Sequence, residues 1–420
     1  MITRFSPNMV YVDGGGVPRV DVIHLHHGVW VINGYPTFAA GEEKTIAQLP
    51  QGFGLPYKPS DSWLLSYMIH NLTPNPTSVY LTYDIDFIPE GTGPALTPVE
   101  PLWMDVAGLR VYPVFDALKG SGGRYTFPDE AGRAQRDKVG AAATFTPGHE
   151  ITLVAAAGHL HPGGLYDDLK VTRGGKSARI FRSEAKYFEP AGAVSWDVSM
   201  TVTKPSWRVV LKPGDTLSVH TTYDTRKASW YEAMGISVVF FASGALPGAA
   251  DPFGNVDWQG LLTHGHLPEN DHHGGGAFSF PDARRLSAGS SASRILIQGY
   301  VYGHGDMSAT SATGRPPVVK AGRSITFKNL DATRGMEARK SAYHTITACR
   351  APCNRSTGVA YPVADGSVTF DSGELGYGPA LGTPAANRDT WKTPKSLKAG
   401  TYTYFCRIHP FMRGSFRVVH

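Results

Sequence analysis

The chain has 420 residues, with 40 Lys and Arg against 35 Asp and Glu and a formal net charge of +5. The basic residues are dispersed instead of gathered in a stripe, which argues against a nucleic-acid partner, and no segment reaches the ~18 consecutive apolar residues of a membrane span. Its 48 glycines, 31 prolines and 11% aromatics favour short strands and turns over long helices, and the length suits about three domains.

The opening stretch, MITRFSPNMVYVDGGG, lacks the apolar core of a signal peptide. The alternating run RVDVI then leads into HLHHGVW (24–30). On a regular strand His24 and His26 share one face and His27 takes the other, so His24 with His26 can chelate directly, whereas an adjacent His26–His27 pair needs an irregular backbone. SYMIHNLTPNPTSVYLTYDIDF (66–87) sets His70 just before a turn and a strong strand. GHEITLVAAAGHLHPGG (148–164) delivers His159 and His161 at period two on one face, before a Pro-Gly-Gly turn. Two imidazoles so placed are a chelating arrangement.

LKPGDTLSVHTTYDT (211–225) carries His220, and SWYEAMGISVVFF (229–241) places Met234 ahead of an apolar strand, where by itself it reads as core filling. THGHLPENDHHGGG (263–276) has linker composition but four histidines, His264, His266, His272 and His273. It is either a solvated loop with incidental metal affinity or a source of ligands for a further metal.

The last third alternates short runs opened by Gly, Pro or Asp: PVVKAGRSITFKNLD (317–331), AYHTITAC (342–349), SVTFDSGELG (367–376) and SLKAGTYTYFC (396–406). They end in YFCRIHPFMRG (404–414), where a cysteine, a histidine and a methionine follow at intervals of three. Thiolate, imidazole and a long axial thioether are the ligands of a blue-copper centre, which then needs a second imidazole, and His344 is the candidate. Cys349 and Cys353 in ACRAPC are either a local disulfide, our expectation, or two reduced thiols; the disulfide implies an oxidising compartment.

From about residue 293 to 420 the chain resembles a cupredoxin, and CRIHPFMRG is similar to the short ligand loop of amicyanin. The resemblance implies Cys406 as thiolate, His344 and His409 as imidazoles and Met412 as axial ligand of one type 1 copper. Residues 20 to 245, with HLHH, His70, GHLH and Met234 in that order, resemble the copper type II monooxygenases, the family of peptidylglycine α-hydroxylating and dopamine β-monooxygenases. This implies two jelly-roll-like sandwiches facing each other across a solvent-filled cleft. His159, His161 and Met234 would then form an oxygen-binding copper site, and His26, His27 and His70 an electron-supplying one. His24 and His220 are extra to that pattern, and residues 1–348 lack the cysteines of the animal enzymes.

The expected fold is therefore all-β: two jelly-roll-like β-sandwiches followed by a cupredoxin Greek-key β-sandwich. The expected division is 1–140, 141–248, a His-rich linker at 249–292, and 293–420. The expected function is that of an extracytoplasmic copper oxidoreductase, secreted, periplasmic or at the cell surface. It would act as a dioxygen-dependent monooxygenase whose fused cupredoxin supplies electrons, with one or two copper ions beyond the type 1 copper. Its partners would be dioxygen or another small oxidant, a small organic or peptide substrate, and an external donor acting at the edge of His409; homo-oligomerisation is left open. Cys406 is flanked by Phe405 and Arg407, so the Cys-His relay of multicopper oxidases and copper nitrite reductases is absent. The rival is a copper carrier or store without turnover.

Overall fold

The computed structural model describes residues 1–420 except 15, 21, 74, 109–112, 120–121, 134–138, 189–191, 195, 264–280, 308–313, 335–341, 352–367 and 378–386. The described chain is all-β, with a single short 3-10 turn at Ala141–Ala143.

Two three-stranded sheets form the first unit. In one, Ile2–Tyr11 lies between Ala47–Gln48 and Val79–Phe87; in the other, Ile23–Ile32 lies between Tyr35–Ala40 and Trp63–Asn71. Alternation in Ile2–Tyr11 turns Phe5 inward, where it stacks on Phe38 at 4.2 Å and meets Trp30 edge-on at 4.9 Å.

The second unit is one curled, eleven-stranded sheet. Its long members, Ile151–Leu160, Gly164–Arg173, Lys176–Tyr187, Thr216–Asp224 and Gly235–Ser243, close around a core containing Phe127, Leu153, Phe181, Trp207 and Val219. Pairing places the strands at 100–127 in this unit: Glu100–Asp105 runs antiparallel to Gly235–Ser243, Phe115–Ala117 pairs Trp230–Ala233, and Arg124–Phe127 pairs Thr216–Asp224. These pairings cross the expected boundary at residue 140, because a strand's partners can lie over a hundred residues away. Leu261–Leu262 likewise pairs Val198–Val202, so the start of the expected linker belongs to this sheet.

Where the resemblance implied a solvent-filled cleft, the described residues of the two units share an apolar core. Phe5, Trp30 and Phe38 share a core with Trp103, Met234, Ile236, Val238 and Phe240 of the second sheet. Apolar side chains exposed by both sheets are buried only by each other.

The third unit is a β-sandwich. A five-stranded sheet contains Val318–Lys320, Arg413–Val419, Gly400–Phe405, Thr347–Arg350 and Phe370–Asp371; a four-stranded sheet is built on Arg294–Gln298 and Thr326–Asn329. Its core includes Ile297, Phe327, Ile346, Tyr404 and Phe416. The last two strands are joined by the Cys-His-Met loop.

Candidate metal centres

At the C-terminal site, strand Gly400–Phe405 ends and hands Cys406 to the loop. The loop is held closed by Cys406 N–H donating to the Met412 carbonyl (3.2 Å) and Met412 N–H to that of His409 (2.9 Å). His344 arrives on a bridge to Leu375. Cys406 Sγ lies 3.8 Å from His344 Nδ1 and 3.7 Å from His409 Nδ1, and the two nitrogens are 3.2 Å apart. The amides of Thr345 and His409 both point at the sulfur from 3.4 Å. Met412 is fully buried beside them.

Asp331 braces this site. Its carboxylate accepts from His344 Nε2 (2.9 Å) and from the Gly299 and Tyr300 amides (2.7 and 3.1 Å), which holds the Tyr300 ring 4.8 Å from His409. Burial works against a charged His344, but hydrogen bonding to Asp331 and to the Cys406 sulfur outweighs it and lifts its pKa to about 9 without metal. Cys349 is described only as backbone and Cys353 not at all, so the expected disulfide lies outside the described residues.

The N-terminal histidines come together in one buried cluster, although the resemblance implied two separated sites. A register shift between Leu25 and His27 supplies the irregular backbone that the adjacent pair needs, and the His26 and His27 Nδ1 atoms stand 3.1 Å apart. Potential ligand atoms of His26, His27 and His161 lie within 4.8 Å of one another. His159 is 5.2 Å from His161 ring to ring, and His24 is paired with His70 across the ladder at 5.0 Å. The Trp196 ring contacts His24, His26, His70 and His161, closing the cluster on one side.

Four of these imidazoles are oriented through one nitrogen only. His24 Nδ1–H donates to the Val20 carbonyl (3.2 Å), His159 Nδ1–H to the Glu43 carboxylate (2.8 Å), His161 Nδ1–H to the Glu232 carbonyl (2.5 Å), and His70 Nε2–H to the Ile408 carbonyl. Their other nitrogens, His24 Nε2, His159 Nε2, His161 Nε2 and His70 Nδ1, are buried with no hydrogen-bond partner among the described residues. An unpartnered buried acceptor is costly, whereas a ring with one N–H pinned and the other nitrogen bare is how a metal-ligating histidine is presented. Burial holds His24, His26 and His161 far below the ordinary imidazole pKa, and brings His27 to about 3 and His70 to about 4. All five are thus neutral and able to ligate at neutral pH.

Met234 is buried near this cluster. Ile236 is the ladder partner of His159, and Met234, Ile236 and Val238 pack into one core, so the methionine shares the face of His159. The Tyr223 hydroxyl accepts from the amides of both His161 (3.1 Å) and Met234 (3.2 Å) and donates to the Met234 carbonyl (2.7 Å), fixing the two backbones side by side. His220 lies elsewhere, bound to Asp129 at 2.6 Å and to Ser218 Oγ at 3.0 Å. Its ladder partner is Asp168, and both its ring nitrogens are engaged outside the cluster. His264, His266, His272 and His273 lie outside the described residues.

The two centres adjoin. The His409 ring is 6.2 Å from His70, so the edge expected to meet an external donor lies against this chain's own histidine. Arg407 leaves the loop on the other side, donates to the Ser229 carbonyl and Asp371 (3.2 Å), and lies over Trp230 at 4.6 Å. A cavity of about 70 Å³ lies beside this junction, lined by His26, His70, His161, Tyr231, Glu374 and Arg407.

Sequence reasoning missed Glu43, Asp331, Tyr223, Trp196 and Arg407. GEEKT (41–45) resembles an exposed charged turn, yet Glu42, Glu43 and Lys44 are buried, and a Cβ on Gly41 would sit 2.5 Å from His159 Cε1. Three consecutive charges beside an apolar strand were the available signal. The carbonyls of Val20, Glu232 and Ile408 carried none, because any residue supplies a carbonyl.

No protein-family profile matches the chain, and no curated protein does. Among solved structures it is similar to a purple cupredoxin from Nitrosopumilus maritimus, at 20% identity over 30% of this chain and 99% of that one, TM-score 0.18. A reduced amicyanin variant matches at 20% identity over 34% and 92% of the two chains, also at 0.18. A copper-containing nitrite reductase from Thermus scotoductus SA-01 matches at 14% identity over 64% of this chain and 55% of that one, at 0.19. Scores this low carry no weight for function, which rests on the geometry above.

Proposed function

We propose that the chain is a copper oxidoreductase with a type 1 copper at His344, Cys406, His409 and Met412, and a second, histidine-bound copper centre of one or two ions in the N-terminal units. The observation that carries this reading is the buried His26, His27 and His161 trio, whose ligand atoms lie within 4.8 Å of one another. It is ringed by His24, His70 and His159, each of which, like His161, keeps one buried nitrogen without a partner among the described residues. The donor sets fit copper: thiolate, imidazoles and thioether at one site, imidazoles at the other. Bound copper would supply one-electron storage at each site. The protein fixes the ligand tautomers, buries the rings and keeps those of His24, His26, His27, His70 and His161 uncharged.

The finer reading is dioxygen-dependent hydroxylation of a C–H bond, with His159, His161 and Met234 as the oxygen site and His26, His27 and His70 as the electron-supplying site. The shared Tyr223 anchor of His161 and Met234 favours it, since a thioether favours Cu(I). So does an apolar cavity of about 140 Å³ lined by Phe38, Leu49, Ala157, His159, Ile236 and Val238, which suits a small apolar substrate better than a peptide. The extracytoplasmic location and an external electron donor belong to the same proposal.

Copper retained per chain after full loading and removal of weakly held metal tests the reading. Wild type is expected to keep more than one copper, and the double variant His26→Ala, His161→Ala to lose the excess with the visible band unchanged. One copper in wild type would leave a cupredoxin carrier. Several coppers without oxygen consumption under a reductant would leave an electron-transfer or storage protein.

A further inference from the structure

His70 stands between the two centres and touches both. Its Nε2–H is given to the carbonyl of Ile408, the residue next to His409, and its ring lies 6.2 Å from that of His409. Its Nδ1 is buried and unpartnered, on a ring 5.0 Å from His24 and 6.0 Å from His26. From the other direction the rings of His344 and His409 are 5.1 Å apart, and those of His26 and His161 4.3 Å. Imidazole contacts therefore run from the Cys406 site to His161, and the one hydrogen bond described from the histidine cluster to the loop of the Cys406 site is made by His70 to the Ile408 carbonyl.

We propose that His70 is the electron junction of the molecule, ligating the histidine centre through Nδ1 while its Nε2–H, bonded to the Ile408 carbonyl, couples that centre to the Cys406 site. The proposal rests on the copper reading above and replaces the sequence-based expectation that the edge of His409 serves an external donor. One electron leaves the reduced Cys406-site copper, Cu(I) becoming Cu(II), and reduces a Cu(II) of the histidine centre to Cu(I). No bond breaks and no proton is needed, because His70 keeps its Nε2 hydrogen throughout. The route does the work that a histidine directly after the ligand cysteine would do. Arg407 occupies that position here, and its side chain turns away to Ser229, Asp371 and Trp230, where it clamps the third unit against the second.

Three measurements test the route. In metal-free protein, nitrogen-15 NMR is expected to find His70 protonated at Nε2 alone; protonation at Nδ1 overturns the proposal. In copper-loaded protein, a one-electron pulse that reduces the Cys406 site should be followed by recovery of its visible band, first-order and independent of protein concentration. Recovery proportional to concentration overturns it. His70→Leu is expected to keep the visible band and slow the recovery by about tenfold or more, the usual scale for losing a group that supports a metal site. If His70→Leu also loses copper from the histidine centre, the Nδ1 ligand role is upheld and Arg407→Gln, whose described hydrogen bonds go to Thr345, Ser229 and Asp371 and to no histidine, carries the kinetic arm. Its expected result is slower recovery with both centres full. Wild-type recovery in the fully loaded variants overturns the route while leaving the copper reading standing, whereas an empty histidine centre in wild type overturns that reading itself.

Discussion

The Cys406 site and the histidine cluster both gather candidate metal ligands in a buried place, from opposite ends of the chain's organisation. Three of the four candidate ligands at the first come from seven consecutive residues, and the loop that carries them is closed by its own backbone bonds. The second draws six histidines from three strands and their ends in two sheets, and borrows its pinning groups from still further segments: Val20, Glu43, Glu232 and Ile408. A site written in one loop survives changes in its surroundings; one written across two sheets depends on their registers being right at once.

Substitutions that cut that contrast have effects of graded size. Cys406→Ser should abolish the thiolate-to-copper visible band completely while the histidine centre keeps its metal, checked by absorption and copper content; a surviving band would remove the assignment. Glu43→Gln should weaken copper at the histidine centre by about 10- to 100-fold through loss of the carboxylate that orients His159. Competitive chelation measures this, and the band at the Cys406 site should not move. Met234→Leu should lower Cu(I) affinity and oxygen-dependent turnover yet cost less than ~1.5 kcal/mol of stability, because volume is conserved. Sulfur scattering from reduced copper in a Cys406→Ser, Met412→Leu background tests the ligation, and its absence there would reduce Met234 to packing.

Acid separates the two regions more gently. His27 and His70 have folded-state pKa values of about 3 and 4, depressed chiefly by burial, so the unfolded chain binds protons first as pH falls. Their contribution to stability is complete above the unfolded value near 6.5 and is lost as pH drops toward 4. Metal-free protein should therefore melt at progressively lower temperature over that interval, and copper should suppress the trend by competing with the protons. The smallest effect belongs to His220→Gln: its partner Asp129 is exposed, so stability should change by less than ~1 kcal/mol and copper content not at all.

How much could be read in advance follows the same contrast. That Cys406, His409 and Met412 would lie together was legible in CRIHPFMRG, because spacing within a loop is spacing in space. His159 and His161 were legible as a pair through strand alternation, and the need for an irregular backbone at His26–His27 was legible as a requirement, met by the shift after Leu25. That all six histidines would share one space was not legible, because it depends on a core shared between units, and Phe38 and Val238 are two hundred residues apart in sequence. Nor was the partner of Glu100–Asp105, since this segment looks locally like any other strand and only its pairing with Gly235–Ser243 assigns it to a sheet.

The shared core of the first two units also decides where the chain can be divided. The third unit carries its own core, and cutting ahead of it interrupts chiefly Phe405, which packs into the core of the second unit, together with the grip of Arg407 and the bond from His70. The first hundred residues have no such independence: Phe5, Trp30 and Phe38 would lose the wall formed by Trp103, Ile236 and Phe240. The molecule is thus a detachable C-terminal unit on an indivisible body. The third unit can be exchanged in engineering, whereas the first two can be moved only as a pair.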